Sequence, residues 1–284
     1  MTNPQQAPRL AATVLLFRPT PKGLLEVFLV KRHGRSGFMA GAHVFPGGRV
    51  DDSDEEFFDV LSDVEREQVK ILTEGESNAR RGAAFVYAAI RETAEECGVL
   101  LANNEQAAAT TKEADDVFMA LRSGASFREE IARLKLRVDI SLLRSFSWWL
   151  TPKEEPKRYD TRFFVALAPE GHEARPDEKE TTEGAWMTPQ AALSAYGKGD
   201  IVLAPPTLVT LEDLVGVRSI DEVSERSMRP LRCLCPALLH ENNALVLALP
   251  GDALHDDKEA AFANRTRVVM SADGHFSSAF MPAE

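Results

Sequence analysis

Three glutamates with the spacing of a metal site lie close together in the chain: Glu92, Glu95 and Glu96. On a helix, residues three and four positions apart are neighbours, so these side chains would share one surface. Their like charges would repel by roughly a few tenths of a kcal/mol per pair, and they would oppose the negative end of the helix dipole. A divalent cation would reverse both effects, because Mg²⁺ binds carboxylate, water and phosphate oxygens. The spacing alone leaves two interpretations, a divalent-metal site and a solvated acidic face.

A helix over Ala83–Cys97 would position these glutamates. At about 100° per residue, apolar residues form one stripe and the three glutamates fall on the opposite face. The stripe consists of Ala83, Val86, Tyr87, Ile90, Ala94 and Cys97. Gly98 follows directly and is a typical helix terminator. The pattern therefore predicts a helix that packs its apolar stripe inward.

Both strands and helices are predicted in the segments around this helix. Apolar runs at Ala11–Phe17 and Leu24–Val30 predict a hairpin, and a short strand at Ala42–Phe45 leads into Gly47 and Gly48. A double glycine lets backbone groups approach a metal or a phosphate closely. Further along, the pattern predicts a helix at about Val117–Leu134, strands at Arg144–Leu150, Arg162–Ala168 and Gly184–Met187, and a helix with Thr188 as N-cap and Pro189 in its first turn.

The pattern changes after about Asp200. A helix is predicted after Pro205 and Pro206, and two strands are predicted within Ala244–Asp252 and Arg265–Phe276. We therefore predict a main domain over residues 9–199 and an extension over residues 200–284 that packs on it.

Composition and charge exclude several classes of protein. The 284 residues are 44% hydrophobic and 27% charged, which is ordinary for globular proteins. No apolar run reaches the roughly 18 residues of a membrane span, so we expect no membrane partner. The net charge of −11 argues against general nucleic-acid binding, which needs a basic surface. Three scattered cysteines, Cys97, Cys233 and Cys235, suit a reducing compartment, so we expect a cytoplasmic protein.

The glycine pair and the glutamate helix together resemble the signature motif of the Nudix hydrolases. The matching residues are Gly48 and the run Arg91-Glu92-Thr93-Ala94-Glu95-Glu96-Cys97-Gly98-Val99. The resemblance spans about Leu10–Lys198. It implies a Nudix α/β/α sandwich with a mixed β-sheet, followed here by a C-terminal α+β extension.

Two departures from the family motif stand out. Gly48 and Arg91 are 43 positions apart (91 − 48 = 43), more than the family spacing, which implies an insertion within about residues 52–81. A supporting glutamate of the family motif is replaced by Ala83, and Asp51 is the nearby carboxylate that could compensate.

The stretch before the glycine pair resembles a subgroup of the family, the coenzyme A diphosphatases, which include a mammalian peroxisomal enzyme and bacterial relatives. Arg32, Gly41 and the run Phe45-Pro46-Gly47-Gly48 match the subgroup. The subgroup's second arginine corresponds to Gly37, although Arg35 is two positions away. An insertion inside the motif is also a feature of this subgroup.

The resemblance implies roles for individual residues. The predicted metal ligands for Mg²⁺ or Mn²⁺ are Glu92, Glu95, Glu96, the Gly48 backbone and Glu180, which lies six positions before Trp186. The predicted catalytic residues are Glu96, Glu95, Arg91 and Glu180, with Arg91 holding the glutamates in place. The predicted substrate-binding residues are Lys31, Arg32, Arg35, Phe45, Gly47 and Gly48.

The resemblance implies a metal-dependent pyrophosphohydrolase that acts on a nucleoside diphosphate linked to another group. Coenzyme A or an acyl-coenzyme A is the expected substrate, giving 3′,5′-ADP and (acyl-)phosphopantetheine. ADP-ribose, NADH or another dinucleotide is the alternative within this class. A non-catalytic ligand-binding or regulatory module is the alternative outside it. The expected partner is a small nucleotide, and the extension could mediate a homodimer.

Overall fold

The computed structural model describes residues 7–34, 40–104, 106–179, 181–241 and 244–281. The strands are β1 (Arg9–Pro19), β2 (Leu25–Arg32), β3 (His43–Val44), β4 (Gly47–Arg49), β5 (Ala102–Asn103), β6 (Arg137–Val138), β7 (Arg144–Leu150), β8 (Tyr159–Leu167), β9 (Thr181–Met187), β10 (Cys233–Leu234), β11 (Ala237–Glu241), β12 (Ala244–Ala248), β13 (Arg267–Met270) and β14 (Phe276–Ala279). The α-helices are α1 (Asp63–Leu72), α2 (Ala79–Cys97), α3 (Thr111–Arg122), α4 (Phe127–Arg133), α5 (Pro189–Lys198), α6 (Pro205–Asp213) and α7 (Ile220–Glu225). Two 3₁₀ helices span Asp52–Val60 and Ile140–Leu142.

The main sheet has eight strands and is mixed, as predicted. Its order is β10-β7-β8-β1-β2-β3, while β4 pairs with β1 and β9 pairs with β2. The β1–β8 and β10–β7 pairs are parallel, and the other pairs are antiparallel. The β1–β2 pair is the predicted hairpin.

Both faces of this sheet are buried, which makes the domain a three-layer α/β/α sandwich. Alternate residues of β1 enter two separate cores, because successive strand side chains point to opposite faces. Val14 and Leu16 join the core that contains α2, whereas Leu15 and Phe17 join the core that contains α5 and α6. Helix α2 therefore packs against β1, which pairs with the strand that carries the glycine pair.

The segment between β4 and α2 folds against α2. It contains the 3₁₀ helix Asp52–Val60 and helix α1, which both contact α2. This segment corresponds to the predicted insertion. Its position places Asp54 of the 3₁₀ helix beside Arg91 of α2.

One predicted element is wrong. The single helix expected at about Val117–Leu134 is two helices, α3 and α4. Gly124 lies between them with a φ of 92°, a left-handed conformation that interrupts a helix. The expected strands Arg144–Leu150 and Gly184–Met187 are confirmed within β7 and β9.

The residues after Gly199 form two parts. Helix α6 packs on α5, α7 packs on the main sheet, and β10 extends that sheet beside β7. Strands β11–β14 then form a separate antiparallel sheet of four strands in sequential order. No helix among the residues that the structure describes is long and apolar enough to cross a membrane.

Candidate active site

Helix α2 carries the three candidate glutamates, and local sequence fixes its ends. The Asn78 side chain accepts hydrogen bonds from the backbone N–H groups of Arg80 and Arg81. At the other end, Gly98 adopts a φ of 69°, the left-handed conformation common after helices. The predicted helix is confirmed and begins four residues earlier than expected. Its capped C-terminal turns hold the glutamates at a fixed position.

The glycine pair lies against the glutamates. The Gly47 N–H donates a hydrogen bond to Glu96 Oε2 at 2.9 Å. Pairing of β4 with β1, Gly47 opposite Thr13 and Gly48 opposite Ala12, fixes the position of the turn. Glu96 is only 9% exposed. The interpretation of a solvated acidic face is therefore wrong for this carboxylate.

Gly48 is required by the close approach of strand β4 to α2. A Cβ at this position would lie 2.5 Å from both carboxylate oxygens of Glu92. Gly47 is equally constrained, because its φ is 154° and a Cβ would lie 2.6 Å from the Cα of Thr13. Because Gly47 and Gly48 lack side chains, the β4 backbone can lie in close contact with the glutamate carboxylates.

We predict that Gly48→Ala lowers the free energy of unfolding by about 1–3 kcal/mol, because the added methyl group must displace the Glu92 carboxylate. Denaturant unfolding measures the change. Gly197→Ala is the matched control, since a Cβ at Gly197 meets no atom within 4 Å and the site lies in helix α5. Equal stability of Gly48→Ala and the wild type would show that the β4–α2 approach is looser than described.

Arg91 connects the glutamates to the inserted segment. Its Nε and one terminal nitrogen donate to the two carboxylate oxygens of Asp54 at 3.1 and 2.9 Å. Its other terminal nitrogen donates to Glu92 at 2.9 Å and Glu95 at 3.0 Å. Arg91 also donates to the Arg49 carbonyl at 2.9 Å. The guanidinium thus contacts two of the candidate metal ligands.

Asp54 is the buried carboxylate that supports Arg91. Its side chain is 2% exposed and accepts two hydrogen bonds from Arg91 and one from the Asp51 N–H. Asp51, the residue expected in this role, is 60% exposed and its carboxylate lies 3.7 Å from Arg91. Ala83 itself is fully buried in the core behind the site. The buried carboxylate that holds Arg91 therefore comes from the 3₁₀ helix rather than from α2.

At this site, burial and neighbouring charges shift the pKa values of Glu95 and Arg91 in opposite directions. Burial raises the pKa of the Glu95 carboxyl, and the neighbouring Arg91 charge offsets part of that rise. Burial alone would lower the pKa of Arg91, but its hydrogen bonds to Asp54 and the charge of Glu92 raise it far above the ordinary value. Arg91 is therefore permanently charged. Additional positive charge beside Glu95 would favour its ionised form further.

The donor set suits a hard divalent cation, whose usual ligands are carboxylate and backbone oxygens. Within the described ranges, no three Asp, Glu, His or Cys side chains are grouped closely enough to hold a metal as they stand. The glutamates are instead directed at Arg91 and the Gly47 N–H. Ligation would require these carboxylates to turn from their present partners toward the cavity that they line.

A cavity of about 690 Å³ opens in front of the glutamates, within the size range of small-molecule sites. Glu92, Glu95 and Glu96 line one part of it with Gly47 and Gly48. Together with polar residues such as Thr151, Glu155 and Thr161, aromatic and apolar residues make up much of the remaining lining. They include Phe45, Trp149, Phe163, Pro205, Pro206, Leu245, Leu247, Met270 and Phe276. The cavity joins a cluster of carboxylates to a largely apolar space.

The predicted substrate-binding residues are brought together only in part. Arg32 and Phe45 line the cavity beside the glycine pair. Lys31 is not among the lining residues, and its Nζ forms an ion pair with Glu183 at 2.8 Å. Arg35 and Glu180 lie outside the described residues. Thr181, the neighbour of Glu180 in the chain, lines the cavity.

Two groups of site residues were missed from the sequence. Asp54 is one, because its partner Arg91 is 37 positions away and nothing local marks the pair. The other is the apolar face of the β11–β14 sheet. β12 (ALVLA) and β13 (RVVM) are nearly continuous apolar runs, so the sequence predicts two strands but marks neither the face nor the cavity that it lines.

Comparison with known proteins identifies the family of this chain. The family described as the NUDT19 Nudix domain matches residues 73–214, half of the chain. Two curated relatives, from Xenopus laevis and Gallus gallus, are both named acyl-coenzyme A diphosphatase NUDT19 and are each 29% identical. The alignments cover 87% and 93% of this chain and 75% and 84% of the relatives.

Among solved structures, a NUDIX hydrolase from Alicyclobacillus acidocaldarius is similar in fold. It is 25% identical with a TM-score of 0.61, and the match covers 78% of this chain and 96% of that one. The similarity therefore extends beyond the glutamate helix to most of the chain.

Proposed function

This chain belongs to the NUDT19 Nudix domain family and is a Nudix hydrolase, and on that premise we propose that it hydrolyses coenzyme A or acyl-coenzyme A. The products would be 3′,5′-ADP and phosphopantetheine or its acyl derivative. The names of the curated relatives support this substrate class. The match of Arg32, Gly41 and Phe45–Gly48 to the coenzyme A subgroup supports it independently.

The observation that carries the proposal is the cavity itself. It places three carboxylates and a double glycine beside an arginine and an apolar space. A diphosphate at the glutamates leaves the rest of the cavity for the two groups that the diphosphate joins. The cavity volume of about 690 Å³ is larger than a diphosphate alone would fill.

Nudix hydrolases generally use divalent cations, and we propose Mg²⁺ or Mn²⁺ here. Glu92, Glu95, Glu96 and the Gly48 backbone would hold the cation, together with Glu180. When bound, the cation lowers the pKa of the attacking water and neutralises charge on the phosphoryl oxygens. Glu96 is the proposed proton acceptor, because the Gly47 N–H fixes its carboxylate at the cavity wall.

Arg91 and the cationic residues of the cavity have different proposed roles. Arg91 is a positioning residue, since all its donors are directed at Asp54, Glu92, Glu95 and the Arg49 carbonyl. Arg32 would contact substrate phosphate directly, with Phe45 and the glycine turn beside it. Lys31 and Arg35 stay candidates for the outer phosphate; Lys31 would first have to leave Glu183.

We propose residues 9–199 as the Nudix domain, with its insertion at about 52–81, and residues 200–284 as the extension. The three cysteines are free thiols, which supports a reducing compartment such as the cytoplasm. A homodimer stays a prediction, and light scattering of the purified chain tests it.

Product analysis tests the proposed function. The protein would be incubated with Mg²⁺ or Mn²⁺ and with coenzyme A, acetyl-coenzyme A, ADP-ribose, NADH and a diadenosine polyphosphate in parallel. Mass spectrometry should find 3′,5′-ADP and phosphopantetheine as the dominant products. If AMP from ADP-ribose or NADH dominates, the substrate belongs to the alternative class of dinucleotides. If no compound is cleaved, the result favours a non-catalytic binding module.

Removal of divalent cations is expected to abolish hydrolysis. Chelation removes the cation whose charge activates water, and the rate should fall by more than about 10²-fold. Added Mg²⁺ or Mn²⁺ should restore it, whereas added K⁺ is the control that should not. Full activity in excess chelator would contradict the metal-dependent mechanism.

A further inference from the structure

One face of the C-terminal sheet carries an apolar patch, bordered by His240 opposite Leu245 and by Ser278 opposite Val268. In antiparallel strands, residues directly opposite one another lie on the same face. The register pairs Leu238 with Leu247 and Leu247 with Val268. It also pairs Leu245 with Met270, and Met270 with Phe276. Because residues two positions apart in a strand share a face, both rows lie on the same side of the sheet.

This apolar face lines the cavity that contains the glutamates. Its lining residues are Leu238, Leu245, Leu247, Leu249, Val268, Met270 and Phe276. Leu245 and Met270 are only partly buried and belong to neither hydrophobic core. Apolar groups left open to a cavity beside a reaction centre are available to a substrate.

The charges of the cavity are distributed unevenly. No charged side chain on this sheet is among the residues lining the cavity, within the part of the chain that the structure describes. The cationic lining residues, Arg32, Arg49 and Arg91, all come from the Nudix domain. A phosphorylated ribose needs cationic partners, whereas an uncharged chain is favoured by burial against apolar groups. The sheet therefore suits the uncharged end of a substrate.

We propose that the apolar face of the β11–β14 sheet binds the pantetheine arm and acyl chain of an acyl-coenzyme A. This inference rests on the proposed function and deepens it. The extension then selects for the acyl group, while the glutamates act on the diphosphate that all such substrates share. Acyl-coenzyme A with a medium chain should be a better substrate than free coenzyme A.

The first test needs no variant. The wild-type kcat/KM should be at least about tenfold higher for octanoyl-coenzyme A than for free coenzyme A, because each buried methylene strengthens binding. Equal values for the two substrates would overturn the inference and leave the proposed function intact. Cleavage of neither would overturn the proposed function and the inference together.

A matched pair of leucine substitutions tests which face of the sheet is responsible for the preference for octanoyl-coenzyme A. Leu245→Asn places a polar group on the face toward the cavity, whereas Leu239→Asn alters the opposite face, since Leu239 pairs with buried Val246. The ratio of kcat/KM for octanoyl-coenzyme A to that for free coenzyme A should fall about tenfold in Leu245→Asn. It should stay at the wild-type value in Leu239→Asn.

Two results for the variants would overturn the inference. One is an unchanged ratio in folded Leu245→Asn. The other is an equal fall in the hydrolysis of coenzyme A, octanoyl-coenzyme A and ADP-ribose, which would place the adenosine half on this sheet. Circular dichroism and a thermal unfolding curve would establish that each variant is folded.

Discussion

Replacing Glu96 with glutamine is expected to lower kcat by about 10²–10⁴-fold while the protein stays folded. Glutamine has nearly the same shape, and its carbonyl oxygen can still accept the Gly47 N–H that Glu96 accepts at 2.9 Å. The substitution removes the negative charge that would hold a cation and the lone pair that would accept a proton. Steady-state kinetics with coenzyme A, together with thermal unfolding, separate loss of chemistry from loss of structure.

Glu155→Gln is the control for Glu96→Gln. Glu155 also lines the cavity, but it is not part of the α2 cluster or the glycine turn. If general negative charge in the cavity were all that mattered, both variants would behave alike. We expect near-normal kcat for Glu155→Gln. A folded Glu96→Gln protein with near-normal turnover would remove Glu96 from the mechanism.

Asp54→Ala is expected to lower kcat by about 10–100-fold, the usual effect of losing a group that orients metal ligands. It should also destabilise the fold by about 3–5 kcal/mol, because the buried Arg91 charge would lose its bidentate partner. Kinetics and denaturant unfolding measure the two effects. KM should change much less than kcat, since Asp54 contacts Arg91 rather than substrate.

Asp51→Ala distinguishes the two aspartates near Arg91. Asp51 is mostly exposed and its carboxylate lies 3.7 Å from the guanidinium, so solvent screens the interaction. Its loss should change kcat by less than about threefold and stability by less than about 1 kcal/mol. A larger effect from Asp51→Ala than from Asp54→Ala would reverse the assignment of the supporting carboxylate.

Local patterns in the sequence predicted the elements that hold the site. Apolar periodicity and Gly98 defined helix α2, and Thr188 caps α5 as expected, accepting the Ala191 N–H. Both features depend on residues a few positions apart, where spacing determines geometry. The predicted helix Val117–Leu134 failed because helical propensity on both sides concealed the break at Gly124.

The parts of the site that the sequence did not reveal depend on tertiary structure. Asp54 is one of several acidic residues in its segment, and only packing of the 3₁₀ helix against α2 selects it over Asp51. From the sequence alone, the apolar residues of β12 are equally consistent with an ordinary hydrophobic core. Their contact with the glutamate cavity requires the extension to fold back over the Nudix domain.

The central claim is that the α2 glutamates and the glycine turn form the metal site of this hydrolase. Isothermal titration calorimetry with Mn²⁺ tests this claim most directly. The wild type should bind Mn²⁺, and Glu96→Gln and Glu95→Gln should each weaken that binding by roughly tenfold or more. Glu155→Gln should bind as the wild type does. Equal Mn²⁺ affinity in all four proteins would place the metal elsewhere and contradict the mechanism proposed for this cavity.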